Sequence, residues 1–437
     1  MELIEEILSD ENLKTAIKKV KANKGAPGVD KMVIDELDEY FAKNKDKIVQ
    51  SILDMKYHPQ PVKRVYIPKP NGKMRPLGIP TVVDRVIQQA VANKLSEIYE
   101  PVFSNYSFGF RPNRSAHDAI YHALDLINYG YEWIVDLDIE KYFDTVNHDK
   151  LISILRENVN DRRTLHLIRS FMRAGVMDNG FVSSNTRGVP QGGPLSPVIS
   201  NVYLDKFDKE LEARNLNFVR YADDCIIFVK SEMSANRVMK SVTSWLEKKL
   251  FLKVSATKTK VVRPNNSSFL GFTFWNDGGI WKCKPLDDRK RKLKAKCSSV
   301  LCRKKAQSTP LGTTITKLNQ IIRGWINYFK IGSMKLYLKE FGQWVRHKLR
   351  VVILKQWKRP RTIYKNLMTL NSFYKCNLGH EDIYKVANSR RGWYARANGN
   401  VINYILSPKV LAIANRKKGN PGLVRPLEYY LTSSCVK

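Results

Sequence analysis

The sequence has no pair of cysteines spaced C-x-x-C. Its six cysteines, Cys225, Cys283, Cys297, Cys302, Cys376 and Cys435, are scattered. That spacing argues against a structural zinc site, and a disulfide framework does not suit an intracellular chain of this length. Cys376 and His380 offer only two ligands, too few to hold a metal. No apolar run approaches the ~20 residues that cross a bilayer. The start, Met1-Glu2-Leu3-Ile4-Glu5-Glu6, lacks the basic lead and apolar core of a signal peptide. The expectation is a soluble intracellular protein with no membrane partner. No internal repeat or low-complexity stretch stands out. Acidic residues are also scarce, at 41 Asp and Glu against 75 Lys and Arg.

That imbalance leaves a formal net charge of +34. Such an excess repels itself in a compact state unless a polyanion is near. Nucleic acid is the commonest such partner. The excess is localised. From Lys284 to Lys365 there are 23 Lys and Arg against Asp287, Asp288 and Glu340, a net of +20 over 82 residues. This segment is therefore expected to bind phosphate backbones. The hydrophobic fraction of 43% is enough for a sizeable core, and the length fits two or three domains.

Residues 1–56 read as helices broken by the loop Asn23-Lys24-Gly25-Ala26-Pro27-Gly28. Alternation in Val62–Ile67 and the Asn71-Gly72 pair predict a hairpin over residues 63–79. Val83, Val86, Ile87, Ala90 and Val91 predict a helix over 82–101. Strands are expected at Trp133–Leu137 and in two arms over Phe218–Val229. Helices are expected near 148–158, 164–174, 196–213 and 234–249. A short strand pair is expected at Phe269–Trp275 and Ile280–Lys284. After about residue 285 the pattern is helical and basic. In Lys317–Ile331, Leu318, Ile321, Ile322, Trp325 and Phe329 mark one apolar face. Trp325, Tyr328, Trp344 and Trp357 fall at core spacing, with base stacking as the alternative. The whole reads as an α/β or α+β region followed by one or two helical domains.

Tyr221-Ala222-Asp223-Asp224 sits between Phe218-Val219 and Ile226-Ile227-Phe228-Val229. Two adjacent carboxylates at the tip of an apolar hairpin repel each other unless a cation is bound. Phosphoryl transfer by two Mg²⁺ ions needs such a set: carboxylates from separate strands, with cations nearby for a triphosphate. A third carboxylate is expected on an adjacent strand. Trp133–Ile139 offers Asp136 and Asp138, both on one face by strand alternation. Periodicity does not choose between them.

These motifs resemble those of reverse transcriptases. Tyr221–Asp224 and Trp133–His148 are similar to the family's catalytic motifs, and Arg187–Pro197 to its nucleotide-pocket loop. Ser107–Arg114 and Ile67–Gly78 fit as well. Within the family the resemblance is to group II intron-encoded reverse transcriptases and maturases. The helix with Arg323-Gly324-Trp325-Ile326-Asn327-Tyr328-Phe329 resembles their maturase-specific thumb, and Asn23–Asp30 their N-terminal extension. The likeness runs from about residue 10 to 360 and weakens over the last 70 residues.

The resemblance implies a right-hand polymerase with fingers and palm, a helical thumb and a small C-terminal DNA-binding domain. The implied bounds are 1–60 for an N-terminal extension, 61–284 for fingers and palm, 285–365 for thumb and 366–437 for DNA binding. It places the metal-binding Asp five residues before an aromatic under the incoming sugar, which selects Asp138 with Phe143 and leaves Asp136 structural. Two Mg²⁺ ions, with Mn²⁺ as substitute, would sit on Asp138, Asp223, Asp224 and the backbone of Ile139. Lys69, Arg75, Arg111, Phe143 and Gln191 would line the dNTP pocket. Phe143 would select dNTPs by blocking a 2′ hydroxyl. Gly192-Gly193 would let the backbone approach the base pair. Leu270, Gly271, Phe272 and Arg323 would touch primer and template.

The implied function is an RNA-directed DNA polymerase that also assists splicing and mobility of a group II intron RNA. Its partners would be intron RNA, RNA template, DNA primer or target, and dNTPs, in a bacterial cytoplasmic ribonucleoprotein without a stable protein partner. The alternatives are an RNA-binding maturase without polymerase activity and a viral RNA-dependent RNA polymerase. Phe143 argues against the second. The absence of paired cysteines near Lys437 resembles the bacterial group IIC lineage, so no self-encoded endonuclease is expected.

Overall fold

The periodicity over residues 82–101 becomes the helix Val82–Tyr99. Thr81 caps it, its hydroxyl accepting from the Asp84 amide. Val82, Val86, Ile87, Ala90, Val91 and Leu95 on this helix are wholly buried. It is the spine against which the helices Leu3–Ile7, Asp10–Ala22 and Leu195–Ala213 pack. This computed structural model describes residues 2–68, 72, 74–415 and 419–434. The chain divides into two compact units, Met1–Phe269 and Leu270–Lys437.

Among the described residues the first unit holds eight strands. They are β1 (Val62–Pro68), β2 (Met74–Ile79), β3 (Trp133–Leu137), β4 (Val176–Asp178), β5 (Phe181–Ser183), β6 (Asn217–Tyr221), β7 (Asp224–Val229) and β8 (Lys260–Val262). One sheet runs β2-β1-β4-β5 and the other β6-β7-β3-β8. β1 and β2 form the expected hairpin, with Pro68 opposite Met74. In the second sheet the strands pair antiparallel, with Leu137 opposite Cys225 and Asp136 opposite both Ile226 and Lys260. Ile134, Val135, Ile226 and Ile227 are wholly buried at its centre. β6 and β7 are the two apolar arms, joined by a turn of Ala222 and Asp223. The helices expected near 148, 164, 196 and 234 form at His148–Leu155, Arg162–Arg173, Leu195–Ala213 and Glu232–Lys249.

β4, β5 and β8 have no counterpart in the sequence pattern. Each is three residues long, too short for a period of two to show. The N-terminal loop docks on the spine helix: Arg85 donates to the Ala26 carbonyl at 2.6 Å.

The second unit opens with the hairpin β9 (Phe272–Asp277) and β10 (Ile280–Pro285). β9 starts three residues later than the pattern places it. Leu270 and Gly271 take φ of +51° and +85°, which no strand accepts. The division between units falls at residue 269 rather than at the composition shift near 285. Contacts explain this. Phe272 packs on Phe329 at a ring separation of 5.0 Å, and the Ser333 amide donates to the Cys283 carbonyl at 2.8 Å. The hairpin thus belongs with the helices Leu311–Phe329 and Lys335–Trp357. The last 70 residues join the same unit. Asn319 bonds the backbone of Gly422 and Val424, and Arg350 donates to the Leu406 carbonyl. No helix among the described residues is long and apolar enough to cross a membrane.

Candidate active site

The second sheet brings three aspartates to one end. Asp138 follows directly after β3, and Asp223 and Asp224 form the β6–β7 turn and the residue after it. The Asp138 carbonyl accepts from the Ser255 amide, and its own amide donates to Thr259 Oγ1. Its carboxylate turns toward Lys258, whose Nζ lies 2.9 Å from both oxygens.

Burial pushes the Asp223 carboxyl above the ordinary range. Asp138 adds to the rise, and the nearby charges of Arg75 and Lys258 oppose it. Asp224 is pushed up to about 6, first by burial and then by repulsion from Asp223, Asp138 and Asp136. The three carboxylates therefore feel one another. Among the described residues no group of three His, Cys, Asp or Glu stands ready to hold a metal, and the ammonium of Lys258 occupies the cation's side of Asp138. Oxygen-only donors suit a hard divalent ion, and the raised carboxyls call for positive charge. The set fits Mg²⁺ once Lys258, itself 67% exposed, withdraws.

Asp136 stands two residues before Asp138, and the two carboxylates repel each other. Asp136 lies in β3 with Lys260 3.8 Å away, and burial pushes it up to about 6. The Ile139 side chain is buried and carries no donor atom, so the backbone carbonyl is the one group through which it could hold a metal.

Phe143 and Gln191 line one cleft of about 390 Å³ together with Arg64, Asp144 and Arg187. Phe143 is set by the short helix Tyr142–Thr145, entered through Lys141 at φ +47°. Its carbonyl accepts from the Val189 amide at 2.6 Å, which ties it to the nucleotide-loop motif. Gln191 Oε1 accepts from Arg75 Nε at 3.0 Å. Arg75 thus stands between the cleft and Asp223. Lys69 lies outside the described residues, as does Asn71.

Arg111 departs from expectation. Its guanidinium is buried and donates to the Glu100 carboxylate and to the carbonyls of Glu100, Ser104 and Ser107. Those bonds use its donors on the fold, so it ties a loop instead of lining the pocket. A Cβ at Gly192 would stand 2.4 Å from the Gly78 carbonyl oxygen. The Gly192 backbone thus approaches the β2 backbone closely.

Leu270, Gly271, Phe272 and Arg323 lie in the second unit. Tyr328 donates to the Leu270 carbonyl at 2.9 Å, Phe272 is wholly buried, and Arg323 lies over the Tyr429 ring at 5.7 Å. Trp344 lies under Lys294, and Trp325 stacks against Phe329. Both tryptophans are half-buried.

Residues 67–274 match the family model described as reverse transcriptase (RNA-dependent DNA polymerase), and residues 290–370 match the group II intron maturase-specific domain. The chain is 33% identical over 312 residues to Protein YkfC of Escherichia coli (strain K12), covering 62% of this chain and 81% of that one. The chain belongs to the reverse transcriptases. It also carries a group II intron maturase-specific domain, and it is similar to Group II intron-encoded protein LtrA of Lactococcus lactis subsp. cremoris. Identity there is 41% over 213 residues, 48% of this chain and 35% of that protein. The chain thus spans about a third of LtrA's length.

Sequence reasoning missed several residues of this reverse transcriptase site. Lys258 is one lysine among many, and only folding brings it to Asp138. His148 donates from Nε2 to the Gly188 carbonyl at 2.7 Å and so braces the nucleotide loop. Arg64 lines the cleft without any spacing that marks it, beside Arg187, the first residue of the nucleotide-loop motif.

Proposed function

We propose that this reverse transcriptase extends a primer with dNTPs on an RNA template and assists splicing and mobility of a group II intron RNA. Asp138, Asp223 and Asp224, with the Ile139 carbonyl, would hold two Mg²⁺ ions, for which Mn²⁺ can substitute. When bound, such ions stabilise charge on the attacking and leaving oxygens of an in-line displacement at phosphorus. The observation that carries this reading is the gathering of the three carboxylates around one lysine. Their mutual repulsion leaves the site short of positive charge.

The chain's own residues supply position. Arg75, steadied by Gln191, would face the triphosphate and offset its charge. Phe143 would wall the sugar, and its tie to Val189 fixes the ring relative to the nucleotide loop. Lys69 would add a second cation on the same hairpin. Arg111 would act through the loop it anchors. In the second unit, the net charge of +20 over Lys284–Lys365 would track phosphates, giving affinity that falls steeply with salt. Leu270, Gly271, Phe272 and Arg323 would meet primer and template there, and residues 366–437 would extend the contact to DNA. The setting would be a bacterial cytoplasmic ribonucleoprotein.

Primer extension on an RNA template tests the reading. The parent is expected to incorporate dNTPs, Asp223→Ala to lose incorporation, and Phe143→Ala to accept NTPs. A parent that binds intron RNA and incorporates nothing would sink it in favour of a splicing maturase without polymerase activity.

A further inference from the structure

The turn that carries Asp223 is not relaxed backbone. Ala222 sits at φ +58°, a conformation that side chains with a Cβ disfavour. Something must hold it there. Arg220, two residues earlier on β6, is 1% exposed, and its ion-pair partner Asp208 is 0% exposed. Arg220 Nε donates to Asp208 Oδ1 at 2.6 Å, and Nη2 donates to Oδ2. The remaining arm, Nη1, donates to Asn201 Oδ1 at 3.1 Å and to the Ala222 carbonyl at 2.9 Å.

That last bond fixes the peptide plane between Ala222 and Asp223. A second grip comes from the other side. Asn201 Nδ2 donates to the Gly109 carbonyl at 2.8 Å. Gly109 lies so close to the turn that a Cβ there would stand 2.3 Å from the Ala222 nitrogen. The segment leading to Gly109 is stitched to β6 as well. The Arg220 amide donates to the Tyr106 carbonyl, and the Phe108 amide donates to the Arg220 carbonyl, each at 2.9 Å.

We infer that Arg220, clamped by Asp208 and Asn201, is a positioning residue that sets the Asp223 carboxylate toward Asp138. The inference rests on the reading of these aspartates as metal ligands. A buried pair retained for packing alone would need only Asp208 opposite Arg220. The third arm of the guanidinium, spent on the turn's own carbonyl, is what a role in aiming adds. Lysine does not reproduce it, because one ammonium does not span both the Asp208 carboxylate and the Ala222 carbonyl.

The test uses the full chain with Mn²⁺ alone as probe, followed by electron paramagnetic resonance, beside thermal unfolding and the Mg²⁺ midpoint of primer extension. Arg220→Lys keeps the buried charge. It is expected to bind Mn²⁺ about tenfold more weakly, with the Mg²⁺ midpoint raised by a similar factor. Asn201→Ala leaves the ion pair whole and is expected to shift both in the same direction by less. It decides the matter where Arg220→Lys does not fold. Tyr203→Phe, which removes a buried bond to the Leu250 carbonyl and none of the Arg220 bonds, is the control for plain destabilisation. It is expected to lower the melting temperature and leave Mn²⁺ binding alone. Folded variants that bind Mn²⁺ as the parent does would overturn the inference. A parent that binds Mn²⁺ but extends no primer defeats the polymerase reading and leaves the positioning role to the binding result. A parent that binds no Mn²⁺ overturns both.

Discussion

Two ion pairs stand beside the same turn and differ in almost every respect. Asp208–Arg220 lies wholly inside the fold, with the carboxylate doubly bonded and the guanidinium's other arm shared between two oxygens. Asp138–Lys258 faces solvent, with the lysine 67% and the aspartate 28% exposed. The first pair is part of the scaffold. The second joins a single exposed ammonium to a carboxylate proposed as a metal ligand. Burial decides which cation is permanent and which can be exchanged, because a desolvated charge has no alternative partner and a solvated one always has water.

The comparison breaks most sharply at Asp138. Asp138→Ala is expected to lower primer extension by at least about a thousandfold. Its cost in stability should stay within about 1 kcal/mol, as for other exposed pairs. A large fall in the unfolding midpoint would mean that this pair is scaffold after all. Asp208→Leu should do the opposite to stability. It strands a buried guanidinium and is expected to cost about 3–5 kcal/mol by denaturant titration. Adding Arg220→Met to it should recover at least half of that loss, since an apolar pair leaves no orphan charge.

Asp205 sharpens the contrast through pH. Burial, and then repulsion from Asp208, push its carboxyl up to about 6 from an ordinary value of 3.8. A raised acid favours the folded state when protonated. Its contribution is complete below about pH 3.8 and is lost as pH rises through about 6. Asp205→Asn should flatten that fall and gain on the order of 1–2 kcal/mol at pH 7, read from melting curves at pH 4, 5, 6 and 7. An unchanged profile would show that Asp205 is not desolvated in solution. The smallest effect is expected at Lys258→Met, within about 1 kcal/mol of the parent and shrinking as salt rises, read from melting curves at low and high salt.

The sequence made the parts with local signals legible. The apolar arms around Tyr221–Asp224 and the run Trp133–Leu137 became adjacent strands, because five or six alternating or continuous apolar residues suffice to mark a strand. Asp138 over Asp136 needed family resemblance, since strand alternation treats them alike. Arg220, Asp208, Asn201 and Gly109 stayed invisible for another reason. They converge from three separate segments, the helix Leu195–Ala213 supplying both Asp208 and Asn201, and the signal of each is only that a polar residue or a glycine interrupts an apolar stretch. Arg111 misled because its motif is right and its environment is not. A guanidinium with Glu100 within reach spends its donors there.

Gly192 closes the distance between the nucleotide loop and β2. The Gly78 amide donates to the Gln191 carbonyl at 2.7 Å, and the Gly192 backbone at φ +125° leaves no room for a side chain against the Gly78 oxygen. A saturation library at this codon would therefore return a single amino acid. Even alanine would prise the β1–β2 hairpin from the loop, so efforts to broaden nucleotide acceptance by directed evolution have to leave this position alone and work on its neighbours.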